Sequence, residues 1–333
     1  MSLFSPLVLP NGASIPNRIG KAAMEENLAD ADHAPSAELL QIYSAWAEGE
    51  VGLIITGNVM VHAEALTGPA GVVLDAQSPI GPFREWADAA QGGGAKVWMQ
   101  INYPGRQIQA DMPGVAWSPS ATRVELGKNS KRFAHPQAMT ARQINDTVNR
   151  FATAARRAEE AGFDGVEIHA AHGYLLSQFL SPLVNQRTDE WGGTLENRAR
   201  LLLDIVRTVR RVVDPTFTVA VKLNSADFQR GGFDSDDAAQ VIAMLKAKLL
   251  GEESLFAAGD ESLTKFAAQC DEAIAKAEAD LSPSGHPINR ILCQGANSCC
   301  AQGRRRPSGC HVVGRQSGKA RSKSRLYIHT PGL

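Results

Sequence analysis

The chain has 333 residues, 44% of them apolar, and a formal net charge of −1. That is ample material for a core in one large or two small domains, and the near-neutral balance excludes the electrostatic footprint of a nucleic-acid or membrane-surface partner. No apolar run reaches membrane-spanning length, and the start Met-Ser-Leu-Phe-Ser-Pro lacks a charged region and a long apolar core, so a cytoplasmic protein is the expectation.

Leu7 to Ile15 reads as a hairpin turning at Pro10-Asn11-Gly12, because Asn-Gly tolerates the positive φ of a tight turn. Ile19 to Met24 is the first predicted strand. A helix follows from about Ser36 to Ala47, with Leu39, Leu40, Tyr43 and Trp46 on one face. Val51 to Thr56 is a second strand, apolar on both sides as buried parallel strands are. A helix over 82–91 and a third strand, Lys96 to Ile101, continue the alternation. The long loop 102–136 is then expected to overhang the functional face, since loops of that length in a compact domain usually serve function. Thr140-Ala-Arg-Gln143 is a capping-box start for a helix that runs to Gly162. After a fourth strand from Gly165, a helix starts at Thr194 and stops at Asp214-Pro215. Thr218 to Leu223 is the fifth strand, and Ser235-Asp-Asp-Ala opens a helix to about Leu245, its aspartates at the positive end of the helix dipole.

Five strand–helix units in sequence point to a parallel α/β fold, though periodicity alone does not separate a barrel from an open sheet. Beyond Leu245 the pattern stops. Three further units would need about ninety residues, which the chain has, but their composition is wrong for buried strands. Residues 262–281 read as an acidic amphipathic helix with Phe266, Cys270, Ile274 and Leu281 inward. After Asp280 there is no acidic residue, and arginine and lysine accumulate among Ser, Gly, Pro and Cys, the composition of a disordered tail. All five cysteines lie at or beyond Cys270, while all five tryptophans precede residue 192. The expected division is therefore an α/β barrel over 1–245, a helical segment over 246–283 and a basic tail over 284–333, joined by a frameshift, an aberrant junction or a truncated fusion.

The chemistry concentrates between Gly165 and Arg200. Val166 and Ile168 alternate with Glu167 and His169, which sets His169 at the carboxyl end of a strand, where barrel enzymes keep their reactive groups. His172 and Tyr174 follow on the loop above it. Two imidazole N–H donors converging on one oxygen would polarise a carbonyl or nitro group, and a nearby phenol could supply a proton. His33, His62, His135 and His286 read as ordinary satisfied histidines. A metal reading of His169 and His172 lacks a third ligand of suitable spacing, so no metal is expected.

His169-Ala-Ala-His172-Gly173-Tyr174-Leu, followed by Arg187-Thr-Asp-Glu-Trp-Gly-Gly and Glu196-Asn-Arg198, resembles the old yellow enzyme family of flavin-dependent ene reductases, over residues 1 to about 245. The resemblance implies a TIM-type (β/α)8 barrel of which strands one to five are recognisable and strands six to eight are missing or replaced. It implies FMN as cofactor, NADH or NADPH as hydride donor, and a small electrophilic alkene, an α,β-unsaturated carbonyl or nitro compound, as substrate. FMN contacts would fall on Ala22, Ala23 and Met24 after strand one, on Gly57 after strand two, where a missing side chain would admit the ring, on Gln100 at its pyrimidine and on Lys222 near N1 and O2. His169 and His172 would hold the activating group of the substrate, and Tyr174 would be the proton donor.

Three departures stand out. The family's Gln-Leu-x-His-x-Gly-Arg reads Gln100-Ile-Asn-Tyr103-Pro-Gly-Arg106, with tyrosine for histidine at a pocket wall. Glu25 replaces the usual Thr or Cys near the flavin, where a carboxylate is expected to turn away or to alter the redox potential. The phosphate site of strands seven and eight has no counterpart beyond a faint Gly314-Arg315. The four cysteines after residue 290 match neither iron–sulfur nor zinc spacing. The alternative function is a non-catalytic barrel remnant that binds FMN weakly or not at all.

Overall fold

The structure, a computed structural model, describes residues 2–250. The expected helical segment beyond 250, the basic tail and Gly314-Arg315 lie outside the described residues. The chain starts with the antiparallel hairpin β1 (Leu7–Val8) and β2 (Ser14–Ile15). The Asn11 side chain donates to the Thr216 carbonyl (3.0 Å) and to the Thr218 hydroxyl (3.3 Å), which pins the hairpin across the amino ends of the strands. A cleft of about 380 Å³ lies there, between Ala13–Ile15 and Trp98, Phe163 and Phe217.

Strand β3 is only Gly20–Lys21, shorter than the predicted 19–24. The cause sits on β4 (Leu53–Met60), which follows α1 (Ala37–Ala47). A Cβ on Gly57 would lie 2.2 Å from the Met24 carbonyl oxygen and 2.1 Å from a Glu26 carboxylate oxygen, so the chain after Lys21 leaves the ladder and packs where Gly57 has no side chain. The Gly57 N–H then finds the Tyr43 hydroxyl at 2.9 Å, and that hydroxyl donates to Glu26 at 2.7 Å. Ser36 caps α1 by accepting from the Leu39 N–H (3.2 Å). Next come α2 (Ile80–Gln91) and β5 (Lys96–Asn102), whose pairing with β4 shifts register between Ile55 and Asn58.

The long connection after β5 is not free loop. It carries a parallel two-residue pair, β6 (Trp117–Ser118) and β7 (Gln137–Ala138). Arg187 ties it down by donating to the carbonyls of Pro119 (3.0 Å) and Met139 (2.7 Å). Helix α3 (Ala141–Glu160) opens on the expected Thr140–Gln143 capping box. Strand β8 (Gly165–Ala170) is buried at all six positions. It leads through the short helix α4 (Leu175–Leu180) to α5 (Leu195–Val212), β9 (Thr218–Leu223) and α6 (Ser235–Leu250).

The five long-range partners form one parallel sheet in the order β3-β4-β5-β8-β9, curled as part of a barrel. Period-two alternation divides its faces. Val97, Met99, Ile101, Val166 and Ile168 join the helices in one apolar core. Gln100, Glu167, His169 and Lys222 occupy the other face: Gln100 lies directly opposite Glu167, and His169 directly opposite Lys222.

Candidate functional site

His169 is the penultimate residue of β8 and is 3% exposed. The Ala171 N–H donates to its Nδ1 at 3.3 Å. With Nδ1 accepting, the neutral ring carries its proton on Nε2, which becomes a donor. Burial pushes its pKa well below the ordinary histidine value, and the charges of His172 and Lys222 push the same way.

His172 sits above it with a left-handed backbone, φ 59°, uncommon for a residue with a side chain. Both of its main-chain groups are held: the N–H donates to Asn224 Oδ1 (3.0 Å), and the carbonyl accepts from Gln107 Nε2 (2.7 Å). Asn224 is set in turn by donating to the Ser177 hydroxyl at 3.2 Å. Strain held from several sides is a mark of functional positions. Burial, then Lys222, lowers the His172 pKa, against a smaller pull from Glu167. The two rings meet edge to face with centroids 5.0 Å apart, and Tyr174 meets His169 at 4.9 Å. Two uncharged imidazoles and a phenol thus converge at the carboxyl end of the sheet. The Tyr174 phenol is pushed up to about 12 by burial and then by the negative charge of Glu25, with the Asn58 amide opposing. It stays protonated across the physiological range.

The expected FMN contacts divide in two. Gln100 and Lys222 lie on the inner face of the sheet, joined by a residue that the sequence reading left without a role. Glu167 accepts from Gln100 Nε2 at 2.6 Å and pairs with the Lys222 ammonium at 3.5 Å. Ala22 and Met24 lie exposed beyond β3, with Ala23 half-buried. At Gly57 the space of the missing side chain is taken by Met24 and Glu26.

Glu25 lies beside Thr67. Its carboxylate accepts from the Thr67 hydroxyl, and its pKa is raised by burial, with Thr67 opposing and the Glu26 charge adding to the rise. Tyr103 belongs to another cluster, 6.3 Å ring to ring from His62, with Arg150 and Glu64 acting on it; burial pushes its phenol up to about 12. His33 is satisfied at the Gly71 carbonyl, 3.0 Å. Among the described residues, Asn58 Oδ1 and both polar atoms of the Asn102 amide are buried without a partner. A flat heteroaromatic edge with alternating carbonyl and N–H groups suits a lumen that holds an oriented amide, an ammonium and unspent amide capacity, so FMN fits these residues.

Two neutral imidazoles, a phenol kept protonated and a cation one strand away suit electron-pair transfer through a ring system to a polarised acceptor. On a curled parallel α/β sheet these features define the class of flavin-dependent barrel oxidoreductases. Comparison with known proteins agrees: the chain belongs to the NADH:flavin oxidoreductase / NADH oxidase family, which it matches over residues 2–258. It is 39% identical over 245 residues to the NADH-dependent flavin oxidoreductase nadA of Aspergillus parasiticus, covering 70% of this chain and 55% of that protein. It is 36% identical over 237 residues to an NADPH dehydrogenase of Halalkalibacterium halodurans, covering 71% and 67%. The crystal structure of an old yellow enzyme from a Pichia species superposes with a TM-score of 0.68 at 28% identity, covering 75% of this chain and 68% of that one. The chain spans about half the length of several of the curated relatives it matches. Family membership implies FMN, with NADH or NADPH as hydride donor. No described helix is long and apolar enough to cross a membrane.

Proposed function

We propose that the chain works as an NAD(P)H-dependent ene reductase on activated alkenes, α,β-unsaturated carbonyl or nitro compounds. The observation that carries this reading is the pair of neutral imidazoles, with His169 in edge contact both with His172 and with the protonated Tyr174. FMN, held at Gln100 and Lys222, would supply two-electron hydride chemistry between the nicotinamide and the alkene. The protein supplies the rest. His169 Nε2 and the His172 ring donate to the substrate oxygen, which draws electron density from the double bond and steadies the enolate or nitronate that develops. Tyr174 gives its proton to the α-carbon. Lys222 would hold positive charge at the pyrimidine edge of the bound ring.

The test is anaerobic. After incubation with FMN, addition of NADH or NADPH should bleach the flavin absorbance, and an unsaturated ketone should restore it with release of the saturated ketone. Bleaching without reoxidation by any activated alkene would overturn the substrate class. Absence of flavin binding would overturn the reading as a whole and favour a barrel remnant without catalysis.

A further inference from the structure

The Gln100–Glu167–Lys222 cluster does more than bury a charge. We propose that Glu167 is a positioning residue that sets the donor and acceptor polarity of the lumen toward a flavin-type pyrimidine edge, by gripping the Gln100 amide and the Lys222 ammonium from behind. The proposal rests on the flavin reading above.

An ionised carboxylate only accepts hydrogen bonds. Glu167 Oε1 therefore fixes which end of the Gln100 amide faces it, and the nitrogen is there at 2.6 Å, in hydrogen-bond contact. Because the amide is planar, its carbonyl must then face the other way; a flip would set carbonyl oxygen against carboxylate oxygen. Register makes the grip direct, since Gln100 and Glu167 are cross-strand partners and the Gln100 main-chain N–H is anchored on the Thr56 hydroxyl at 3.0 Å. The same carboxylate oxygen takes the Lys222 ammonium at 3.5 Å from the next strand. One 8%-exposed carboxylate thereby holds both lumen groups.

The chemical consequence is selectivity. A flavin pyrimidine edge carries one N–H between two carbonyls, so an outward-facing Gln100 carbonyl matches the N–H and the Lys222 ammonium matches a carbonyl. With glutamine at 167, which both donates and accepts, the Gln100 amide can adopt either orientation and the match to N–H is no longer enforced.

Binding of FMN and of its N3-methyl analogue to the full chain, followed by fluorescence quenching, reads this directly. The wild-type chain is expected to prefer FMN by about tenfold or more, the scale of one hydrogen bond. In Glu167→Gln the preference is expected to fall below about threefold, a change that general loss of packing would not produce because it weakens both ligands alike. Glu167→Asp withdraws the carboxylate by one methylene, is expected to lower the preference in the same direction, and serves where the glutamine variant does not fold. An unchanged preference in either folded variant overturns the proposal. A second readout needs no flavin: the Gln100 side-chain amide protons in the NMR spectrum should be shifted downfield in the wild type and return to ordinary values in Glu167→Gln. If that shift is present while neither flavin binds, the flavin reading fails and the grip itself stands; if the wild-type shift is absent, the grip is refuted.

Discussion

Removing the paired donors should weaken anionic phenol ligands, which mimic a substrate oxygen carrying negative charge. The ring geometry puts His169 and His172 at one locus, and each N–H to a charged oxygen contributes about 1.5–3 kcal/mol. Losing both should therefore cost about 3–6 kcal/mol, or roughly 10²–10⁴-fold in Kd. The substitution must be chosen with care, because Ala171 donates to His169 Nδ1 and alanine would strand that N–H. His169→Met sets a thioether sulfur, a weak acceptor with no N–H, at the position of Nδ1, and His172→Ala touches no side-chain partner of the main-chain bonds that hold residue 172. Affinity would be followed by the long-wavelength band that phenolates give with oxidised flavin, with urea unfolding as the check on folding. Both imidazole pKa values are depressed, so between pH 6.5 and 8 wild-type affinity should follow the ionisation of the phenol alone. An unchanged Kd in the folded double variant would refute the donor assignment.

Tyr174→Phe should slow reoxidation of reduced enzyme by an unsaturated ketone about 10²-fold or more while leaving bleaching by the nicotinamide intact, as rapid-mixing absorbance would record. Riboflavin and FMN should bind within about tenfold of each other if Gln100, Lys222 and their neighbours are the main contacts; a preference for FMN above about a hundredfold would assign a phosphate site to residues beyond 250. The Lys21 ammonium is held down to about 8 by burial, against Glu26. Its folded pKa lies below its unfolded value, so the fold carries a cost below pH 8 that is relieved as pH rises from about 8 toward 10.5. Urea unfolding should show stability rising by on the order of 1–3 kcal/mol over that range, a rise that Lys21→Met removes. Above pH 10 the sign reverses, because unfolded tyrosines ionise while Tyr103 and Tyr174 hold their protons to about 12.

Much of this was legible in the residues, for reasons that also mark the limits. Thr140 and Gln143 announce α3 because a capping box is a local device, and the inner strands announce themselves because parallel strands are apolar on both sides. Helix α4 gives no such sign: all six of its residues are buried, so it has no exposed face to impose an amphipathic period. The short β3 escaped because its end is set by a contact with Gly57, thirty-odd residues away in sequence. That the Tyr103 ring packs beside His62 could not be read from local pattern, because the two lie on different connections of the chain. Glu167 was visible as an acid two positions before His169, hence on the same strand face. What single-strand periodicity could not supply was its cross-strand partner, since register is a property of two strands.

The hairpin at the amino terminus bears on how the protein is made. Asn11 reaches Thr216 and Thr218 across 205 and 207 positions of sequence. At ribosomal speeds of about 5–20 residues per second, the hairpin waits roughly 10–40 s for its partner to be synthesised, longer once the exit tunnel is counted. Local units such as α1 with α2 can pair during that interval, whereas the plug at the amino ends of the strands cannot seat. Nascent chains arrested before residue 216 should therefore leave Leu7–Ile15 open to proteolysis, and chains released after β9 should protect it. A segment made some two hundred residues before its partner is in this sense among the last to find its place.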